Sequence, residues 1–84
     1  MPYITKEHRE YYDKRVGHFV FVEKGDLEYV VFKLMKLFMQ TRPNKYRHLH
    51  DCAYAVQHCA DEFRRRFLDK REDEAIKENG DIDA

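Results

Sequence analysis

Leu27-Glu28-Tyr29-Val30-Val31-Phe32-Lys33-Leu34-Met35-Lys36-Leu37-Phe38-Met39 is the stretch whose reading decides the fold. Its first half is rich in β-branched and aromatic residues. With Phe19-Val20-Phe21-Val22 upstream, across Glu23-Lys24-Gly25-Asp26, it fits a β-hairpin on composition. Neither run alternates as a ribbon with one wet face should, whereas Leu27, Val30, Val31, Leu34 and Phe38 keep the i, i+3, i+4 rhythm of a helix. The reading is therefore a helix over 26–40. Only Glu28, Lys33 and Lys36 interrupt its apolar residues, and a helix greasy around most of its circumference must be covered on several sides. Two further helices in a short chain cover two faces at most. The excess is assigned to a subunit interface made by Val31, Leu34, Met35 and Phe38.

Working towards the N-terminus, Thr5 is placed to cap a first helix, with Glu7 and Glu10 near the positive end of its dipole. Tyr12, Val16, Phe19 and Val20 fall at helical spacing, which extends helix one over 5–24, and Gly25-Asp26 reads as a stop followed by a start. Towards the C-terminus, Arg42-Pro43 ends helix two, because the residue before a proline is pushed out of the α region. Asn44 is expected to cap helix three, over 45–69, whose stripe is Leu49, Cys52, Ala53, Val56, Ala60, Phe63 and Phe67. Its length, about 35 Å, exceeds what a small core needs, so its C-terminal part is expected to project or to pair with another subunit. Residues 70–84 read as an acidic tail folded back on Ile76 or Ile82, with a turn at Asn79-Gly80. The fold class is all-α: a small three-helix domain with a short acidic C-terminal extension, helix three the longest.

Eighty-four residues suit one domain. Sixteen basic and sixteen acidic residues cancel, which removes the usual argument for a general nucleic-acid binder, and no specific DNA or RNA binding is expected. The charge is uneven: residues 69–84 hold seven acidic and three basic residues, so the extension is acidic and the rest mildly basic. No apolar run approaches a membrane span and the N-terminus is too polar for a signal peptide, so a cytoplasmic location is expected. Cys52 and Cys59 lie about two helical turns apart and cannot pair within one helix; the first reading is apolar thiols, with an intermolecular disulfide or a metal role as alternatives.

The chain contains no serine and no glycine-rich phosphate loop, so serine nucleophiles and Walker-type sites have no footing, and no enzyme activity is expected. His48, His50 and His58 with Asp51, Cys52, Cys59 and Asp61 suggest a metal cluster at first sight. On a helix, however, His50 and Asp51 point away from the His48 and Cys52 face, so no metal and no cofactor is expected. Two basic groups carry more weight. Arg42, Lys45, Arg47, His48 and His50 surround the start of helix three, where free N–H groups favour an anion. Arg64, Arg65 and Arg66 form the second group, some 27 Å further along. One reading of that triplet is a helix end balanced by Asp61, Glu62 and Asp69. The other is a phosphate site completed across an antiparallel homo-oligomer from Lys45, Tyr46, Arg47, Arg64, Arg65 and Arg66, with the Tyr46 ring stacked on a base.

Pro2-Tyr3-Ile4, Gly25-Asp26-Leu27 with Tyr29-Val30, Glu62-Phe63 with Arg65-Arg66, and Glu72-Asp73 with Ile76-Lys77 and Glu78-Asn79-Gly80-Asp81-Ile82 carry a resemblance. The chain resembles a family of small uncharacterised helical proteins found largely in bacteriophage and metagenomic sequences. Glu28 stands where that family tends to have asparagine, and Arg71 where it tends to have an aromatic. The resemblance implies a helical fold and a phage-type origin, which would place the protein in a host cytoplasm. Together these readings give the expected function: a non-enzymatic, oligomeric binding protein that sequesters an anionic, nucleotide-like signalling ligand of host defence. The alternative is a protein-interaction module that docks on a host or phage protein through helix two or the acidic tail.

Overall fold

The computed structural model describes residues 3–82, and every regular element among them is helical. Helix α1 spans Lys6–Val16, α2 Lys24–Gln40 and α3 Tyr46–Phe63; a π-helical segment, Arg64–Leu68, then leads without a break into α4, Asp69–Asn79. The fold is all-α, with three helical runs, the last of 34 residues being the longest. The packing divides into two units, Met1–Phe32 and Lys33–Ala84, with the boundary inside α2.

In the first unit, the Thr5 hydroxyl accepts from the His8 N–H at 3.3 Å and caps α1, with Glu7 in the first turn and Lys14 and Arg15 in the last. Arg15 lies 3.5 Å over the Tyr11 ring and donates to the Tyr11 carbonyl at 2.6 Å. No residue of α1 is buried, so these local contacts do much of the work of holding it. The helix ends at Val16, well short of residue 24. Phe19–Val22 follow as irregular chain, their β-branched and aromatic side chains being weak helix formers, and the Phe19 and Phe21 rings stack at 5.9 Å. Gly25 is no stop: it sits in the first turn of α2. Asp26 does cap α2, but from inside the helix, its carboxylate accepting the Val22 and Glu23 N–H groups at 3.0 and 3.1 Å.

In the second unit, the C-terminal half of α2 and the first half of α3 form a helical hairpin. Arg42 closes α2 by donating to the Phe38 carbonyl at 2.5 Å while its guanidinium lies 3.6 Å over the Phe38 ring. Lys45, in extended conformation and without a side-chain bond, is the N-cap of α3 in place of Asn44. Cys52 is buried and its thiol donates to the Met35 carbonyl at 3.5 Å, joining positions 17 residues apart. Met35, Phe38 and Met39 of α2 and His48 and Val56 of α3 are half-buried.

The acidic tail does not fold back. Its helix-forming residues, with Arg71 and Glu74 paired at 3.8 Å, carry the third helical run past residue 69 to Asn79. Gly80 ends it as the turn signal predicts, at φ 83, with its N–H bonded to the Ile76 carbonyl at 2.8 Å. Ile76 and Ile82 are both exposed, so neither pins the segment down; residues 83 and 84 lie outside the described residues.

Candidate functional site

At the start of α3, Lys45, Tyr46 and Arg47 are exposed. Spacing of four residues lines Tyr46, His50, Tyr54 and His58 along one side of the helix. Their ring centroids stand 5.8, 4.1 and 6.3 Å apart in turn, with His50 and Tyr54 stacked. Tyr46, at the head of this ladder, is 80% exposed. The Arg47 Nε lies 3.4 Å from the His48 Nε2. Arg42, grouped with these cations by sequence, is engaged with Phe38 at the end of α2.

Arg64, Arg65 and Arg66 open the π-helical segment at the far end of α3. Arg65 donates to Glu62 through Nη2 at 2.8 Å and Nε at 3.3 Å, and Arg66 through Nε at 2.5 Å. The Arg65 hydrogen bonds, followed by that of Arg66, hold the Glu62 carboxyl below the ordinary glutamate range. Two of the three arginines are thus answered by their own carboxylate, and the chain by itself does not bring the triplet to Lys45, Tyr46 and Arg47. Cys52 and Cys59 are free thiols, and no group of three metal-ligating side chains occurs among the described residues.

The side chains assigned to an interface divide. Val31, Met35 and Phe38 are half-buried, while Leu34 is 48% exposed. Leu37, which the interface assignment passed over, is 58% exposed. With Lys33, Leu34, Lys36 and Gln40 it lines a shallow open groove of about 330 Å³. The signal for it was present, since Leu27, Val30, Leu34 and Leu37 repeat at intervals of three, four and three, the spacing of a coiled-coil seam. Phe63 and Phe67, placed by sequence in the core stripe, are 64% and 56% exposed, their rings 4.9 Å apart. The arginine run between them carries no sequence signal for the π-helical turn.

The sequence pattern of DUF6899, described as a domain of unknown function, matches residues 1–82. The chain belongs to that family. No curated protein and no solved structure matches it. Among the described residues, no helix of this DUF6899 chain is long and apolar enough to cross a membrane.

Proposed function

We propose that this DUF6899 chain is a non-catalytic, self-associating interaction module of phage type, working in the cytoplasm of the host. One observation carries the reading: Cys52 is the only buried residue among those described, while Leu34, Leu37, Phe63 and Phe67 stand on open helix faces. Apolar area left in water at this density is the mark of a protein that completes its core against another chain. Burial is worth about 25 cal/mol per Å², so each leucine or phenylalanine covered by a partner contributes on the order of 1.5 to 3 kcal/mol to association. The test is light scattering of the full chain at micromolar concentration, where a dimer or larger assembly is expected. A particle of 10.3 kDa overturns the reading.

The exposed ring ladder headed by Tyr46 favours a second reading, in which the assembled protein takes up an anionic, nucleotide-like ligand beside Lys45 and Arg47. It stands second because Glu62 already satisfies Arg65 and Arg66, and a phosphate would have to displace it. Thermal shift against cyclic and linear nucleotides tests it: a saturating ligand raises Tm, and Arg47→Ala then weakens binding about tenfold through loss of a charge-assisted bond. No shift with any of them removes this reading and leaves the first intact.

A further inference from the structure

The groove formed by Lys33, Leu34, Lys36, Leu37 and Gln40 and the acidic helix α4 lie far apart within the second unit, and their chemistry is complementary. We propose that α4 of a second copy occupies this groove, and that two copies exchange the contact reciprocally. The proposal rests on the self-association reading above and names the surfaces that carry it.

The groove is apolar at its centre, with Leu34 and Leu37, and basic at its rim, with Lys33 and Lys36. Being open and shallow, it does not enclose a small molecule on most sides as ligand pockets do, whereas it suits a helix laid across it. The matching element carries the opposite charge. Asp69, Glu72, Asp73, Glu74 and Glu78 of α4 outnumber Lys70, Arg71 and Lys77, and Arg71 is already paired with Glu74. Ile76, exposed on α4, supplies an apolar contact, and Leu68, also exposed, supplies another at its threshold.

A chain cannot fill its own groove. The contact between Met35 and Cys52 sets the groove beside the first half of α3, and α4 begins 17 residues beyond Cys52 on an unbroken helical run. At about 1.5 Å per residue that is roughly 25 Å away. A symmetric α2–α2 pairing through Leu34 and Leu37 is disfavoured for a different reason, since it gathers the four lysines of two copies along one seam. Antiparallel copies related by a two-fold axis meet both requirements, because the groove-to-α4 separation is the same in each. Two such contacts bury twice the surface of one and so move the pair towards the size of a standard stable interface.

Charge exchange in the full chain tests the proposal. One variant carries Lys33→Glu with Lys36→Glu, the other Glu74→Lys with Glu78→Lys, and circular dichroism establishes that each is helical. By light scattering, wild type is expected to be a dimer, and each variant alone should dimerise at least tenfold more weakly. An equimolar mixture should recover the dimer, because each groove then faces an α4 of opposite charge. Variants that dimerise like wild type, or a mixture that stays monomeric, overturn the assignment while leaving self-association standing. A monomeric wild type removes self-association itself. Should a charge variant lose helicity, Gln40→Cys combined with Glu78→Cys supplies the second test. With Cys59→Ala in both proteins, so that its exposed thiol cannot cross-link copies, mild oxidation should give a covalent dimer that the chain without the two added cysteines does not form, and its absence counts against the proposal.

Discussion

Around Cys52, two helices meet: a thiol is buried, its proton directed at the Met35 carbonyl, with Met35, Phe38, Met39, His48 and Val56 half-buried. From Phe63 to Asn79, on the same helical run, nothing is buried, and the visible interactions join residues three or four apart: Phe63 with Phe67, Arg65 and Arg66 with Glu62, Arg71 with Glu74. The first region has a buried side chain and a bond that joins positions 17 residues apart. The second relies on helix propensity and local pairs, each contributing little because water screens it. An isolated helix of this length is marginal in water, so a lone helix end with exposed phenylalanines gains most of its order from whatever covers it. The contrast separates what the chain packs by itself from what the proposed assembly would cover.

The largest expected effect attacks the packed region. Cys52→Asp puts an unpaired carboxylate at the one buried position among the described residues and should cost about 3 to 5 kcal/mol, a large part of the stability of a small domain. Urea denaturation should then lose its cooperative transition. Cys52→Ala, which removes only a weak thiol bond and a little volume, should cost about 1 kcal/mol. If Cys52→Asp unfolds like wild type, packing does not hold the hairpin and the contrast fails.

Why the sequence disclosed the hairpin better than the rest follows from these same residues. Helix two and the Cys52–Val56 face of helix three were legible because burial imposes a period of 3.6, which overrode the strand-like composition of Tyr29–Phe32. The end of α1 is not legible, because Phe19 and Val20 continue a helical spacing that their own weak propensity does not sustain. The continuation to Asn79 is not legible for the opposite reason: its residues favour a helix but show no buried face to register it. The candidate site was legible only in composition. The sequence showed the Arg64 to Arg66 triplet and the nearby carboxylates, but the choice of Glu62 as the partner of Arg65 and Arg66 depends on side-chain geometry. Leu37 was hidden by the uniform greasiness of its helix, where spacing alone does not say which face a neighbour takes.

A measurement of intermediate effect sharpens the contrast. Amide exchange in the segment from His50 to Val56 should be slow and independent of protein concentration, since the hairpin protects it within one chain. Under the proposed assembly, amides of α4 should exchange quickly in dilute solution and become protected as concentration rises, because a second copy would cover them. Equal protection of both segments at every dilution would mean that α4 is ordered by its own chain, and the two regions would no longer differ in kind.

The smallest effect lies inside the locally held region. Glu62 binds its proton less readily in the folded chain than in the unfolded one, because Arg65 and Arg66 donate to the carboxylate. Its contribution to stability is therefore present above the unfolded glutamate pKa, near 4.3, and is lost as pH falls through the lower folded value. Glu62→Gln should flatten that acid-side dependence and leave stability near pH 7 changed far less than Cys52→Asp does, because surface pairs are screened by water. Thermal melts of both proteins between pH 2.5 and 7 check this, with wild type falling more steeply towards acid than the variant. The same substitution releases two arginines at the π-helical segment. If Glu62→Gln instead steepens the acid loss, the carboxylate opposes the folded state, and local pairing does not explain why this part of the helix forms.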